Sequence, residues 1–217
     1  MARRTPLTAD RIVEAAVAVA DRGGLEQVSM RNVGRELGVE AMSLYHHLAG
    51  KEALLDGLAT WVFSQIELPD ASTPWRSAMA ALAGSARAVL GAHPWALGLV
   101  ESRRSPGPAL LRHHEAVLAN LRTNGFSIDL AAQAFSAVDS YVYGFVLTEQ
   151  NLPFDAGETA EDFVEEIVHL LPADEYPHMV ELIEAQVIGR AYDYGEQFPY
   201  GLDLILDGLE RRLAAEA

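Results

Sequence analysis

Between Ser29 and Leu48 the chain reads SMRNVGRELGVEAMSLYHHL, and its apolar residues fit two short helices joined by a glycine. Ser29 is a good N-cap, Val33 and Leu37 share one helical face, and Gly38 is a natural left-handed stop. After a tight turn through Val39 and Glu40, a third short helix is predicted from Ala41 to His47, with Leu44 and Leu48 packing on Val33 and Leu37. Upstream, Thr8 can cap a first helix bearing Ile12, Val13, Ala16, Val19 and Ala20, which Gly23-Gly24 ends. Downstream, Lys51-Glu52 opens a fourth helix with Leu54, Leu55, Leu58, Val62 and Ile66 apolar. Two short helices on a glycine turn, braced by a first, make a helix-turn-helix.

The segment Glu67 to Trp75, ELPDASTPW, is rich in Pro, Asp and Ser and reads as a linker between a domain at 1–66 and one at 67–217. Beyond it, helical segments are predicted at 75–91, 94–103, 107–124, 128–151, 158–171, 174–194 and 200–216, and no strand alternation interrupts them. The expected fold is all-α, with a small N-terminal domain and a larger helical one. There is no cysteine, no secretory signal and no apolar run of membrane-spanning length, so a cytoplasmic protein without membrane contact is expected.

Charge divides the chain in the same place. The formal net charge is −15, yet residues 1–51 hold seven Arg or Lys against six Asp or Glu. An acidic body discourages indiscriminate nucleic-acid binding and leaves room for one near-neutral head that does it.

That head concentrates Ser43, Tyr45, His46, His47 and Lys51. Adjacent histidines on a helix point about 100° apart and cannot chelate one ion. His46-His47 and His113-His114 both fail in this way, and neither has a second His four residues on, so no metal site is expected. Ser43 and His47 lie one turn apart, on a helix too short and exposed to build an oxyanion hole, so no catalytic group is expected either. A DNA interface accounts for every residue type. Small or flexible side chains at the helix start approach base edges, while hydroxyl and imidazole groups reach phosphates. Lys51 joins an ammonium to the free N–H groups of a helix start.

Thr8-x-x-Arg-Ile-x-x-Ala-Ala, Val28-Ser-Met-Arg-x-Val-Gly-x-Glu-Leu-Gly-Val and Ser43-Leu-Tyr-His-His-Leu-x-x-Lys-x-x-Leu together resemble the DNA-binding domain of tetracycline-repressor family regulators, almost continuously over residues 7–60. The resemblance implies a helical C-terminal domain that dimerises and binds a small molecule, which releases the operator. Carried over by motif, Ser29 and Arg31 meet DNA at the start of the second helix, Ala41, Met42 and Ser43 face bases, and Tyr45, His47 and Lys51 hold the backbone. Ala41 and Met42 cannot form bidentate hydrogen bonds, which points to thymine-methyl contacts and to Arg31 as a guanine reader.

Asn124-Gly-Phe-Ser, Ala137-Val, Tyr143-Gly-x-Val-Leu and Phe198-x-x-Gly-Leu extend the resemblance to the tetracycline-binding subgroup. This implies that segments 128–151 and 200–216 pair in a four-helix dimer interface, with Phe145, Val146, Leu202, Ile205, Leu206, Leu209 and Leu213 as its apolar residues. Such a two-fold dimer reads two half-sites of a palindromic double-stranded operator about one helical turn apart. For the effector, the expected lining is Trp95, Leu99, Glu101, Phe135, Ser136, Asp139, Tyr141 and Tyr143. Glu101 stands where the subgroup places a magnesium-binding His, and Arg104 and Val117 replace hydroxyl and amide side chains. A tetracycline–magnesium site is therefore not expected, nor any other cofactor, and a Glu with aromatic lining suits a cationic or amphipathic molecule.

Two other functions compete: an all-α enzyme, which needs convergent titratable groups in the C-terminal domain, and a constitutive DNA-binding protein, which needs that domain packed solid around Trp95, Phe135 and Tyr141.

Overall fold

The computed structural model describes residues 6–102, 107–153, 159–190 and 192–216, without the side chain of Glu101. Arg3, Arg4 and Arg104 lie outside the described residues. Those described form helices and no strand: α1 (Ala9–Gly23), α2 (Met30–Leu37), α3 (Ala41–Leu44), α4 (Lys51–Gln65), α5 (Trp75–Ala92), α6 (Trp95–Ser102), α7 (Pro108–Thr123), α8 (Ile128–Gln150), α9 (Ala160–Ile167), α10 (Pro177–Gln186) and α11 (Gln197–Glu216).

The helix starts follow local chemistry. Thr8 Oγ1 accepts from Arg11 N at 3.3 Å, Ser29 Oγ from Asn32 N at 3.2 Å, and Ser127 Oγ from Leu130 N at 3.1 Å. Thr159 and Asp162 close a reciprocal capping box on α9. Pro199 falls in the first turn of α11, where its missing N–H has no helical partner to lose, so this helix begins before the expected residue 200. The expected helix at 174–194 shortens to α10 because Gly189 turns left-handed at φ 66°. None of the α10 residues is buried.

α4 joins the two halves. Its residues Leu54, Leu58 and Val62 are fully buried, and it packs on α1 on one side and on α6 and α7 on the other. Gly57 permits the close α1 crossing, since a Cβ there would come within 2.7 Å of Val13 Cγ2. The expected linker is not a free tether. Asn120, fully buried on α7, donates to Asp70 O at 2.7 Å and Thr73 O at 2.9 Å, and Asn124 donates to Thr73 O at 3.0 Å.

Several residues expected at a dimer interface belong to the protomer's own core. Phe145, Val146, Leu202, Leu206 and Leu209 are all buried where α8 and α11 pack together, and Ile205 and Leu213 are half-buried against them. The large apolar side chains these helices leave exposed are Ile128, Leu147, Tyr200 and Leu204. The reason is geometric: a stripe of 3.6-residue period reports burial, not which surface provides it.

Candidate nucleic-acid interface and effector cluster

α2 and α3 meet through Gly34. A Cβ on it would stand 3.0 Å from Val39 O and 3.3 Å from Ala41 Cα, so the second residue of the turn can lie directly on α2. Gly38 takes φ 65°, ψ 34°, and Val39 N donates to Gly34 O at 2.9 Å, fixing the angle between the two helices. Beneath them Val33 and Leu44 are fully buried. α3 is shorter than expected: regular helix stops at Leu44, and the chain continues in turns in which His47 N and Leu48 N both donate to Leu44 O. Tyr45 stays in right-handed helical backbone, so the residues expected to face DNA still follow one another around a single turn.

Their side chains are not engaged by the fold. Arg31, Tyr45, His47 and Lys51 are exposed and hold no side-chain hydrogen bond or ion pair among the described residues. Met42 is the most exposed large apolar side chain among the described residues, at 73%. Ala41, Ser43 and Ser29 are half-exposed beside it, Ser29 being also the cap of α2. Lys51 is the first residue of α4, whose N-cap Gly50 supplies no side chain, so the N–H groups of its first turn lie beside the ammonium. Two carboxylates flank these residues, Glu40 at the N-cap of α3 and Glu52 in the first turn of α4, while Glu36 is paired with Arg22.

Several of the eight residues expected around an effector are held by contacts elsewhere in the fold. Trp95 is buried against the N-terminal half, its Nε1 donating to Asp21 Oδ1 at 2.6 Å. Leu99 is core at 2% exposure, and Ser136 is exposed. Asp139 and Tyr143 are half-buried, each with a partner. Tyr141 donates to Phe198 O at 2.8 Å and stacks on the Phe198 ring, which places it at the α8–α11 contact. The Glu101 side chain lies outside the described residues.

Phe135 alone leads to an unexpected cluster. His114 meets it edge-on at 4.7 Å between ring centroids, and His113 lies 6.4 Å from Phe135 and 5.5 Å from Phe63 of α4. His113 is 3% exposed, and its Nδ1 has no hydrogen-bond partner among the described residues. Burial pushes His113 down to about 4, with neighbouring His114 adding to the effect, so its imidazole is neutral near pH 7. Sequence spacing had discarded this pair as metal ligands. Its signal was the position of His113 one turn before the buried Val117 on α7.

Among the described residues no helix is long and apolar enough to cross a membrane. Comparison with known proteins supplies the family. Residues 12–58 match the model for bacterial regulatory proteins of the tetR family, and residues 68–213 match the tetracyclin repressor-like C-terminal domain. The chain is 38% identical over 213 residues to the HTH-type transcriptional repressor DrrR1 of Streptomyces coeruleorubidus, covering 94% of this chain and 77% of that protein. It is 29% identical to a class A tetracycline repressor of Escherichia coli, covering 96% and 93% of the two chains. Among solved structures, ActR of Streptomyces coelicolor in complex with actinorhodin superposes with TM-score 0.76 at 30% identity, over 96% of each chain. A helix-turn-helix with unengaged side chains, joined to a helical domain and matched along nearly its whole length, has one meaning: the chain belongs to the tetracycline-repressor (TetR) family of transcriptional regulators.

Proposed function

We propose that this protein is a homodimeric repressor that binds a palindromic operator and is released from it by a small molecule held in the C-terminal half. The observation that carries this is the helix-turn-helix surface, where Arg31, Tyr45, His47 and Lys51 stand exposed and uncommitted around α3 on an otherwise acidic protein. Arg31 is assigned to a guanine, Ala41 and Met42 to thymine methyls, and Ser29, Ser43, Tyr45, His47 and Lys51 to base edges and phosphates. The exposed Leu147, Tyr200 and Leu204 on α8 and α11 are assigned to the two-fold contact, and the uncovered α10 suits the same second copy. ActR, which shares the fold, has been solved with actinorhodin, a precedent for a small-molecule effector in this architecture.

Coupling follows from α4, which starts at the DNA face and packs on α6 and α7. A ligand that moves those helices moves α4, and with it the separation of the two recognition helices. Selection of bound sequences from a random DNA pool tests the reading. A palindrome should be enriched; absence of enrichment at low salt would remove the DNA-binding function.

A further inference from the structure

We propose that His113 receives the polar group of the effector, and that the effector is an uncharged aromatic molecule carrying a hydroxyl or carbonyl. This rests on the reading that the C-terminal half binds a small molecule.

His113 is 3% exposed on α7 and its Nδ1 has no hydrogen-bond partner among the described residues, a condition that native folds seldom leave without a use. Its walls come from three helices: Phe63 on α4 at 5.5 Å, Phe135 on α8 at 6.4 Å, and its neighbour His114 at 6.0 Å. His114 and Phe135 meet it edge-on at 63° and Phe63 is tilted to it by 58°, aromatic surroundings that suit a flat aromatic guest. The neutral imidazole offers one N–H donor and one acceptor nitrogen, whichever tautomer is present. A hydroxyl or carbonyl exchanges water for that nitrogen at little loss. Against these three rings an ammonium or carboxylate would give up its hydration for uncharged aromatic surface. Of the cationic or amphipathic molecules that Glu101 suggests in the sequence, this selects the uncharged amphipathic kind, and the choice can be measured.

The location also explains how occupancy reaches DNA. Phe63 is a buried residue of α4, so a guest against His113 shares a wall with the helix that carries the DNA-binding half.

Three probes on one ring system decide the matter: 2-naphthol (uncharged), 2-naphthoate (anionic) and 2-naphthylmethylammonium (cationic). Each is titrated into the full-length protein by calorimetry, with binding to the selected operator measured on the same preparation. Wild type should take 2-naphthol in preference to both ions, with affinity flat between pH 6 and 8. His113→Phe should weaken 2-naphthol by about fivefold or more while His113→Gln, which keeps a hydrogen-bonding group, retains part of it. Preference for either ion, no 2-naphthol binding at millimolar concentration, or equal affinity in wild type and His113→Phe overturns the proposal. Failure of wild type to bind any operator sinks the repressor reading itself, a result separate from all of these.

Discussion

Trp95 donates its indole N–H to Asp21 Oδ1 at 2.6 Å, and the same oxygen lies 2.7 Å from His93 Nδ1. One carboxylate on the last turn of α1 thus gathers both polar groups at the start of α6, and the His93 ring stands edge-on to Trp61 of α4 at 5.0 Å. Trp95→Phe keeps the ring and loses the donor. Because the Asp21 side chain is 37% exposed, the cost should be near that of an ordinary hydrogen bond, about 1 kcal/mol by urea unfolding. An unchanged midpoint would show that the contact contributes nothing to joining the halves.

Gly34→Ala tests the turn. The added methyl meets backbone at 3.0 and 3.3 Å, which cannot rotate away as a side chain would. The expected loss is about 1–3 kcal/mol in thermal or urea unfolding, with operator affinity falling alongside as α3 tilts. A variant as stable and as tight-binding as wild type would mean that α3 is not seated on α2 as described.

His113 makes a prediction about pH. An imidazole held at about 4 in the fold and near 6.5 when unfolded binds its proton more readily in the unfolded chain. Stability is therefore fully present above pH 6.5 and falls as pH drops toward 4, by up to about 3 kcal/mol from this group. His114, also lowered by burial, acts in the same direction. Denaturant melts at several pH values on wild type and His113→Phe should show a shallower acid slope in the variant. Parallel slopes would place the loss in other groups.

At the DNA face two cations should behave differently. Arg31→Ala should cost about 1–3 kcal/mol on the selected operator and relax the base preference at one position. Lys51→Ala should weaken all sequences alike and lower the salt slope by about one. Binding assays across a salt series on operator and random DNA separate the two. Loss of affinity on random DNA equal to that on the operator would make Arg31 a phosphate contact.

Leu204→Glu and Leu147→Glu place charges on exposed positions of α11 and α8, so neither should unfold the protomer. Sedimentation should show monomers and operator affinity should collapse, since each half-site alone binds weakly. Dimers that persist in both variants would move the two-fold contact elsewhere.

The N-terminal half was legible because its instructions are local. Thr8 and Ser29 cap, Gly38 stops, and both act within a few residues of where they sit. What the sequence hid depends on contacts distant along the chain. The 67–75 stretch reads as a linker from its own composition, and only the folded α7 brings Asn120 and Asn124 to its carbonyls. Trp95 reads from the sequence as part of an effector lining, and its partner Asp21 lies 74 positions away. Phe145 and Leu206 read equally well as interface or interior, because apolar periodicity carries no address. His113 was dismissed on helical geometry alone, which cannot report that a ring is 3% exposed.

α3 has four residues and one fully buried side chain, Leu44. A helix of that length has no stability of its own, so its shape is set from below by α2 and Leu44. Ala41 still packs partly on the core, but the Met42 side chain, 73% exposed, is released from any duty to the fold. Mutational drift at that position can carry the protein from one operator to another while its melting temperature stays put, which makes new regulatory targets accessible one substitution at a time.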